Sequence, residues 1–152
     1  MLFFGKILAF AGMTEKKETT WFPSYGVEMR GGTANCTVII SDEMIGSPIV
    51  RNPDILVTMN RPSYDKFQPG LIKKGILFLD SSLVKKPDFR RDIETVHVPA
   101  TEIAGSSGST RSANMVMLGA LIARTGILKK TSILEILKKH PDARKIGNAK
   151  IN

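Results

Sequence analysis

Cysteine is nearly missing from this sequence: Cys36 is the only one in 152 residues. One thiol forms no internal disulfide and falls short of the four thiolates that hold an iron–sulfur cluster. Histidine is almost as scarce, with only His97 and His140, and neither has a Cys or second His at ligand spacing. No metal site is therefore expected. His97 alternates within ETVHVPA and reads as a strand residue, while Cys36 reads as a small buried hydrophobe.

Aromatics are sparse where charge is dense. Residues 1–60 hold 5 basic and 6 acidic side chains, residues 61–152 hold 17 and 8, and nothing after Phe89 is Phe, Tyr or Trp. Single-strand binders interleave basic residues with stacking aromatics, so nucleic acid is not an expected partner. The basic KKHPDARKIGNAK reads as a solvated helix end and tail, with Lys138, Lys139 and His140 favourable near a helix C-terminus. A sharper reading makes it a grip on an acidic partner or polyanion.

Other signatures are missing too. No Gly-x-Gly-x-x-Gly follows a strand, and there is no P-loop lysine or Gly-x-Ser-x-Gly elbow. No nucleophile–base–carboxylate set can be assembled, so no catalytic residue is assigned. In MLFFGKILAFAGM, Lys6 interrupts a short apolar run that no basic segment precedes, which argues against export and for a cytoplasmic location. The run is well below the roughly 20 residues of a membrane span, so no membrane association is expected. It reads instead as a buried helix ending near Gly12.

What is present suits one α/β domain. A chain this long buries roughly 68–70% of its unfolded surface, and 42% hydrophobic residues can fill a core. Four segments read as strands: CTVIISD (36–42), DILVTMN (54–60), GILFLDSS (75–82) and ETVHVPA (94–100). TTWFPSYG is a weaker fifth, interrupted by Pro23. The continuous apolar runs suggest strands covered on both faces. RPSYDKFQPGL and LVKKPDFRRD each have room for a short crossover helix or turn. The expected fold is a three-layer α/β/α single domain, residues 1–152, with a largely parallel or mixed sheet.

Two helices close the chain. SANMVMLGALIARTG is apolar on most faces, with Gly126 at C′, Gly119 open to close approach, and Met115 and Met117 as core filling. In TSILEILKKH, Ser132 and Glu135 have capping-box spacing, and Pro141 ends the helix.

Two groups of residues are candidate contact sites. YGVEMRGGTANC packs Gly26, Gly31 and Gly32 beside Glu28 and Arg30, and that much backbone freedom costs folding entropy unless something uses it. In an extended loop Glu28 and Arg30 can address one partner surface, with Tyr25 and Asn35 at its ends. The second group lies beyond the carboxyl ends of the strands, where open α/β sheets gather ligands. It comprises Asn60 with Arg61 and Ser63, then Ser81 and Ser82, then Thr101 and Glu102. GSSGSTRSAN adds Arg111 and Asn114 at the start of a helix whose amides suit an anion. Small polar residues of this kind also serve as ordinary caps and turns.

The blocks WFPSYGVEMRGGTANCTVIISDEMIGSPIV, PDILVTMNRPSYDKF, GILFLDSSL, VPATEIA and ANMVMLGALIARTG together resemble the gamma subunit of 2-oxoacid:ferredoxin oxidoreductases, particularly the 2-oxoglutarate type. The resemblance runs from about Gly5 to the end, and Tyr-Gly-x-Glu-Met-Arg-Gly-Gly is its most specific part. It implies a domain packed against alpha and beta subunits, with a ferredoxin-like delta subunit as a further candidate partner. There thiamine diphosphate attacks the 2-oxoacid, iron–sulfur clusters pass electrons to ferredoxin, and coenzyme A accepts the acyl group. This chain has no Gly-Asp-Gly of the thiamine diphosphate motif and a single Cys, so those cofactors fall to the partners. The expectation for Tyr25–Cys36 is a contact element near the active-site entrance, where Glu28 and Arg30 pair across an interface and Gly31 and Gly32 admit a partner backbone or coenzyme A; glycines that serve only the loop's own structure are the alternative, and the resemblance does not decide between them.

The sequence departs from the family pattern in one respect. Members of the family begin with a strand and a Gly-x-Gly-Gly-Gln-Gly turn before the helix that starts here at about Leu2, and they tend to continue past NAKIN. The expectation is a domain truncated at its N-terminus, and a candidate for truncation at its C-terminus, through a misassigned start or a gap filled by a partner. Two rival readings remain: a free-standing phosphate- or nucleotide-binding α/β protein, and a basic adaptor gripping an acidic chain through KKHPDARK.

Overall fold

Helix α1, Leu2–Thr14, is apolar nearly all round and buries Phe4, Ile7, Leu8, Ala9 and Ala11. The structure is a computed structural model that describes residues 1–24, 34–85, 87–88 and 90–139. Its chain divides into two compact units, Met1–Val50 with Ile122–Asn152, and Arg51–Leu121.

In the first unit α1 packs on an antiparallel pair, β1 (Glu18–Ser24) and β2 (Asn35–Ser41), in register from Glu18 opposite Ser41 to Ser24 opposite Asn35. Two glycines set how closely the helix approaches. A Cβ at Gly5 would lie 2.5 Å from Cys36 Sγ, and one at Gly12 would lie 2.6 Å from Thr19 Cγ2. Gly12 is thus a packing residue, and α1 continues past it to Thr14. The stop comes later, where Lys16 takes φ 60° and the Lys17 N–H reaches back to Gly12 O at 3.0 Å. Pro23 does not break β1, because it lies near the end of a strand that pairs on one side only among the described residues. Cys36 is half-buried. Burial pushes its thiol pKa up, against weaker opposing contributions from Trp21, the chain's amino terminus and the Gly5 amide.

Helix α5, Lys130–Lys139, packs against α1. The Ser132–Glu135 capping box does not form: Ser132 lies inside the helix, buried, and Glu135 pairs with Lys139. The cap comes from a distance, as Glu15 Oε1 accepts the Lys129 N–H at 2.7 Å. Partial burial opposes ionisation of Glu15, but the Lys129 amide, the Ser132 hydroxyl and the Lys129 and Lys17 charges hold its pKa below the usual value.

The second unit is built on a parallel sheet in the order β3 (Ile55–Thr58), β4 (Ile76–Asp80), β5 (Glu94–Val98). Central β4 is buried along Leu77, Phe78, Leu79 and Asp80, as its continuous apolar run requires. Burying the apolar side chains Leu77, Phe78 and Leu79 stabilises by about 1.5–3 kcal/mol each. Tyr64, Leu71 and Val84 complete the cluster around Leu77 and Leu79, with Leu56 and Ile93 packed against it. His97 is an exposed strand residue in β5.

Helix α2, Arg61–Phe67, follows β3, and α3, Ala100–Ser106, follows β5. The crossover from β4 to β5 contains no helix among its described residues. Side chains hold it instead. Tyr64 Oη donates to Asp88 O, and Arg90 Nη1 donates to Gln68 O at 3.0 Å and Leu71 O at 2.9 Å. Helix α4, Ala113–Thr125, buries Ala113, Met117, Leu118, Leu121 and Ile122. It ends at Gly126 with φ 60°, whose N–H returns to Ile122 O at 2.9 Å, the left-handed stop its sequence predicts. Gly119 admits no close neighbour among the described residues, so the expected close approach does not occur there.

Candidate functional site at the carboxyl end of the parallel sheet

The α/β expectation places ligand contacts beyond the carboxyl ends of parallel strands, and in the second unit a polar lattice occupies that position. Its centre is Asp80, the last residue of β4, a fully buried carboxylate at 0% exposure. Thr101 Oγ1 donates to Asp80 Oδ2 at 2.6 Å, and the Ser82 N–H donates to Oδ1 at 3.0 Å. The Thr101 N–H approaches Oδ1 at 3.5 Å, and the Glu102 N–H donates to Ser82 Oγ at 3.1 Å. The Ser81 N–H donates to Val98 O at 3.0 Å, while Ser81 O accepts Lys85 Nζ at 2.8 Å. A carboxylate removed from water needs such donors, and here they are the first turn of α3 and the turn after β4.

A second arrangement follows β3. Asn60 Oδ1 accepts the Ser63 N–H at 2.9 Å and so caps α2. Arg61 reaches Asp65 at 2.7 Å and Asp88 at 3.5 Å. Burial, then the Asp88 charge, pushes the Tyr64 phenol pKa up, and the Arg90 fork at 2.7 Å pulls Asp92 below its usual range. The acceptors at these strand ends therefore hold helices and turns in place, and a ligand approaching them meets engaged groups.

The predicted residues divide accordingly. Ser82 and Thr101 come together on Asp80, Ser81 lies beside them, and Asn60 stands apart as a cap. Arg111 is exposed in the short turn Thr110–Ser112, and Asn114 is in α4 with Oδ1 buried and unpartnered. Asn35 pairs with Ser24. Tyr25, Gly26, Glu28, Arg30, Gly31 and Gly32 lie outside the described residues, as does the tail from His140. Asp80 itself escaped sequence reading; its signal was an acid closing the apolar run ILFL.

Among the described residues no three His, Cys, Asp or Glu side chains converge, and the whole sequence offers one thiolate where a cluster takes four. No helix among them is long and apolar enough to cross a membrane.

The family model for pyruvate ferredoxin/flavodoxin oxidoreductase matches residues 1–151. The chain belongs to that family. Within it, ketoisovalerate oxidoreductase subunit VorA of Methanothermobacter thermautotrophicus is 43% identical over 123 residues, covering 81% of this chain and 25% of that protein. 2-Oxoglutarate synthase subunit KorC of Methanocaldococcus jannaschii is 39% identical over 127 residues, covering 81% of this chain and 67% of that one. The chain thus spans about a quarter of the length of the ketoisovalerate relatives it matches. Among solved structures, the gamma subunit of a keto/oxoacid ferredoxin oxidoreductase from Geobacter sulfurreducens superposes with a TM-score of 0.78 at 32% identity, over 97% of this chain and 84% of that one. The 2-oxoglutarate:ferredoxin oxidoreductase of Magnetococcus marinus shares the fold at TM-score 0.82 and 23% identity, over 97% of this chain and 25% of that one.

Proposed function

We propose that this chain is a non-catalytic gamma-type subunit of a cytoplasmic thiamine diphosphate-dependent 2-oxoacid:ferredoxin oxidoreductase. Such an enzyme decarboxylates a 2-oxoacid to an acyl-coenzyme A and reduces ferredoxin. The observation that carries the reading is the likeness to the Geobacter gamma subunit, which covers 97% of this chain and 84% of that one. The polar lattice supports it. Asp80, Thr101, Ser82 and Asn60 spend their hydrogen bonds on α3 and α2, as suits a chain that presents a fixed surface to partners.

In this reading thiamine diphosphate, the clusters and any ferredoxin-like subunit lie with the partners. Tyr25, Gly26, Glu28, Arg30, Gly31, Gly32 and Asn35 form the contact element toward the alpha and beta subunits or coenzyme A. Ser81, Arg111 and Asn114 extend the contact surface. The favoured substrate is 2-oxoglutarate, which the 39% identity to a 2-oxoglutarate synthase subunit over most of this chain supports. The 43% identity to a ketoisovalerate subunit supports a branched 2-oxoacid as the second reading.

The test replaces Arg30 by Ala in the assembled enzyme and follows subunit retention and the coenzyme A dependence of turnover with each 2-oxoacid. Weaker assembly or a raised coenzyme A KM is expected. Unchanged assembly and kinetics would remove the contact role of Arg30.

A further inference from the structure

Resting on the gamma-subunit reading, we infer that the connector from β2 to β3, residues 42–54, is an apolar docking arm, and that it seats on the polypeptide corresponding to the remainder of the longer ketoisovalerate relatives. Its apolar side chains stand in water: Met44 is 91% exposed, Ile49 68% and Val50 36%. They fall within MIGSPIV (44–50), which carries no charge. Apolar residues scattered singly on a surface need no explanation, whereas a group of them marks an interaction site. The arm is also braced. Lys17 Nζ holds Asp42 at 2.7 Å, the Glu43 N–H donates to Ser41 Oγ at 3.0 Å, and the Ile49 N–H donates to Ser47 Oγ at 3.2 Å. Pro48 fixes the backbone just before Ile49, and Asn52 Nδ2 donates to Gly70 O at 3.0 Å where the chain enters the second unit. Apolar anchors held out in a set conformation lose little entropy when a partner covers them. Connectors this long without helix or strand are uncommon, and those that are ordered usually have a function.

Charge and chain length select the occupant. Residues 42–50 contain no lysine or arginine, so the arm has no attraction for phosphate or for an anionic membrane. A second copy is disfavoured by the formal charge of +8 that each would bring. The relatives favour a larger polypeptide. This chain covers 84% of the Geobacter gamma subunit but 25% and 26% of the two ketoisovalerate subunits, so the same domain forms most of one chain and a small part of others. In the longer chains the tether keeps the remainder at high effective concentration around the domain. Where the domain is a chain of its own, contacts must do what the tether does, and a braced apolar arm supplies them.

The test places the photo-crosslinking residue benzoylphenylalanine at Met44 of the tagged full chain, with exposed Lys73 as the control position, and irradiates the enzyme purified anaerobically from its own cells. The Met44 position should be joined to a larger oxidoreductase chain that aligns with the remainder of the ketoisovalerate subunits, and the Lys73 position should not. Met44→Asp with Ile49→Asp should leave the melting temperature of the chain alone unchanged, since both side chains are in water, and should hold the larger chain about tenfold or more weakly. Met44 adducts only to a second copy, to the same chain, to lipid or to nucleic acid would overturn the inference. So would full retention of the larger chain by the double variant; in these cases the gamma-subunit reading stands. A parent chain recovered with no larger chain overturns both. If the double variant fails to fold, the cross-linking result decides alone.

Discussion

Thr101 Oγ1 donates to Asp80 Oδ2 at 2.6 Å, joining the end of β4 to the first turn of α3 at a point no water reaches on the carboxylate side. The bond makes the strand end and the helix start one rigid piece. Asp80→Ala removes the common acceptor of the Thr101 hydroxyl and the Ser82 N–H and should cost about 2–4 kcal/mol in urea unfolding. Thr101→Val, which removes one donor, should cost about 1–3 kcal/mol. Equal and negligible effects would show that the lattice does not hold α3.

Asn60 caps α2 through its side chain. Asn60→Ala should destabilise the chain by about 1 kcal/mol and Asn60→Asp by much less, because aspartate also caps. Thermal melts of the two variants against the parent check the order.

Gly12→Ala tests packing against propensity. Alanine is the better helix former by about 0.5–1 kcal/mol, so an unconstrained site would be stabilised. Here the new Cβ would lie 2.6 Å from Thr19 Cγ2, and net destabilisation is expected. Thr19→Ser deletes that methyl and should recover most of the loss when combined with Gly12→Ala, as a double-mutant cycle reports.

Glu15 gives a pH prediction. Its folded pKa is lowered, so its contribution to stability is present above the unfolded glutamate value and is lost as pH falls through the folded one. Glu15→Gln keeps an acceptor for the Lys129 N–H but cannot titrate. The difference between parent and variant stability should therefore shrink as pH drops below the ordinary glutamate range. A difference independent of pH would remove Glu15 as a charged cap.

The fold was legible where local chemistry decides it. ILFL, ILVT and the ETVHV run announced the parallel strands, and Gly126 announced the end of α4. Long-range contacts were not legible. Ser132 and Glu135 had capping spacing, yet the cap came from Glu15, 114 residues from Lys129. Gly12 looked like a stop, but it is the place where α1 meets Thr19. The same holds for the candidate site. Ser82 and Thr101 were visible as polar residues at strand ends, whereas the carboxylate that joins them stood as a single acid closing an apolar run.

The measurement closest to the central claim is anaerobic purification of the tagged full chain from its own cells, with mass spectrometry of the co-purifying chains and assays for iron and thiamine diphosphate. The account predicts recovery with larger oxidoreductase subunits, both cofactors, and 2-oxoacid-dependent reduction of ferredoxin. A chain that emerges folded but alone, free of iron and thiamine diphosphate, would contradict it.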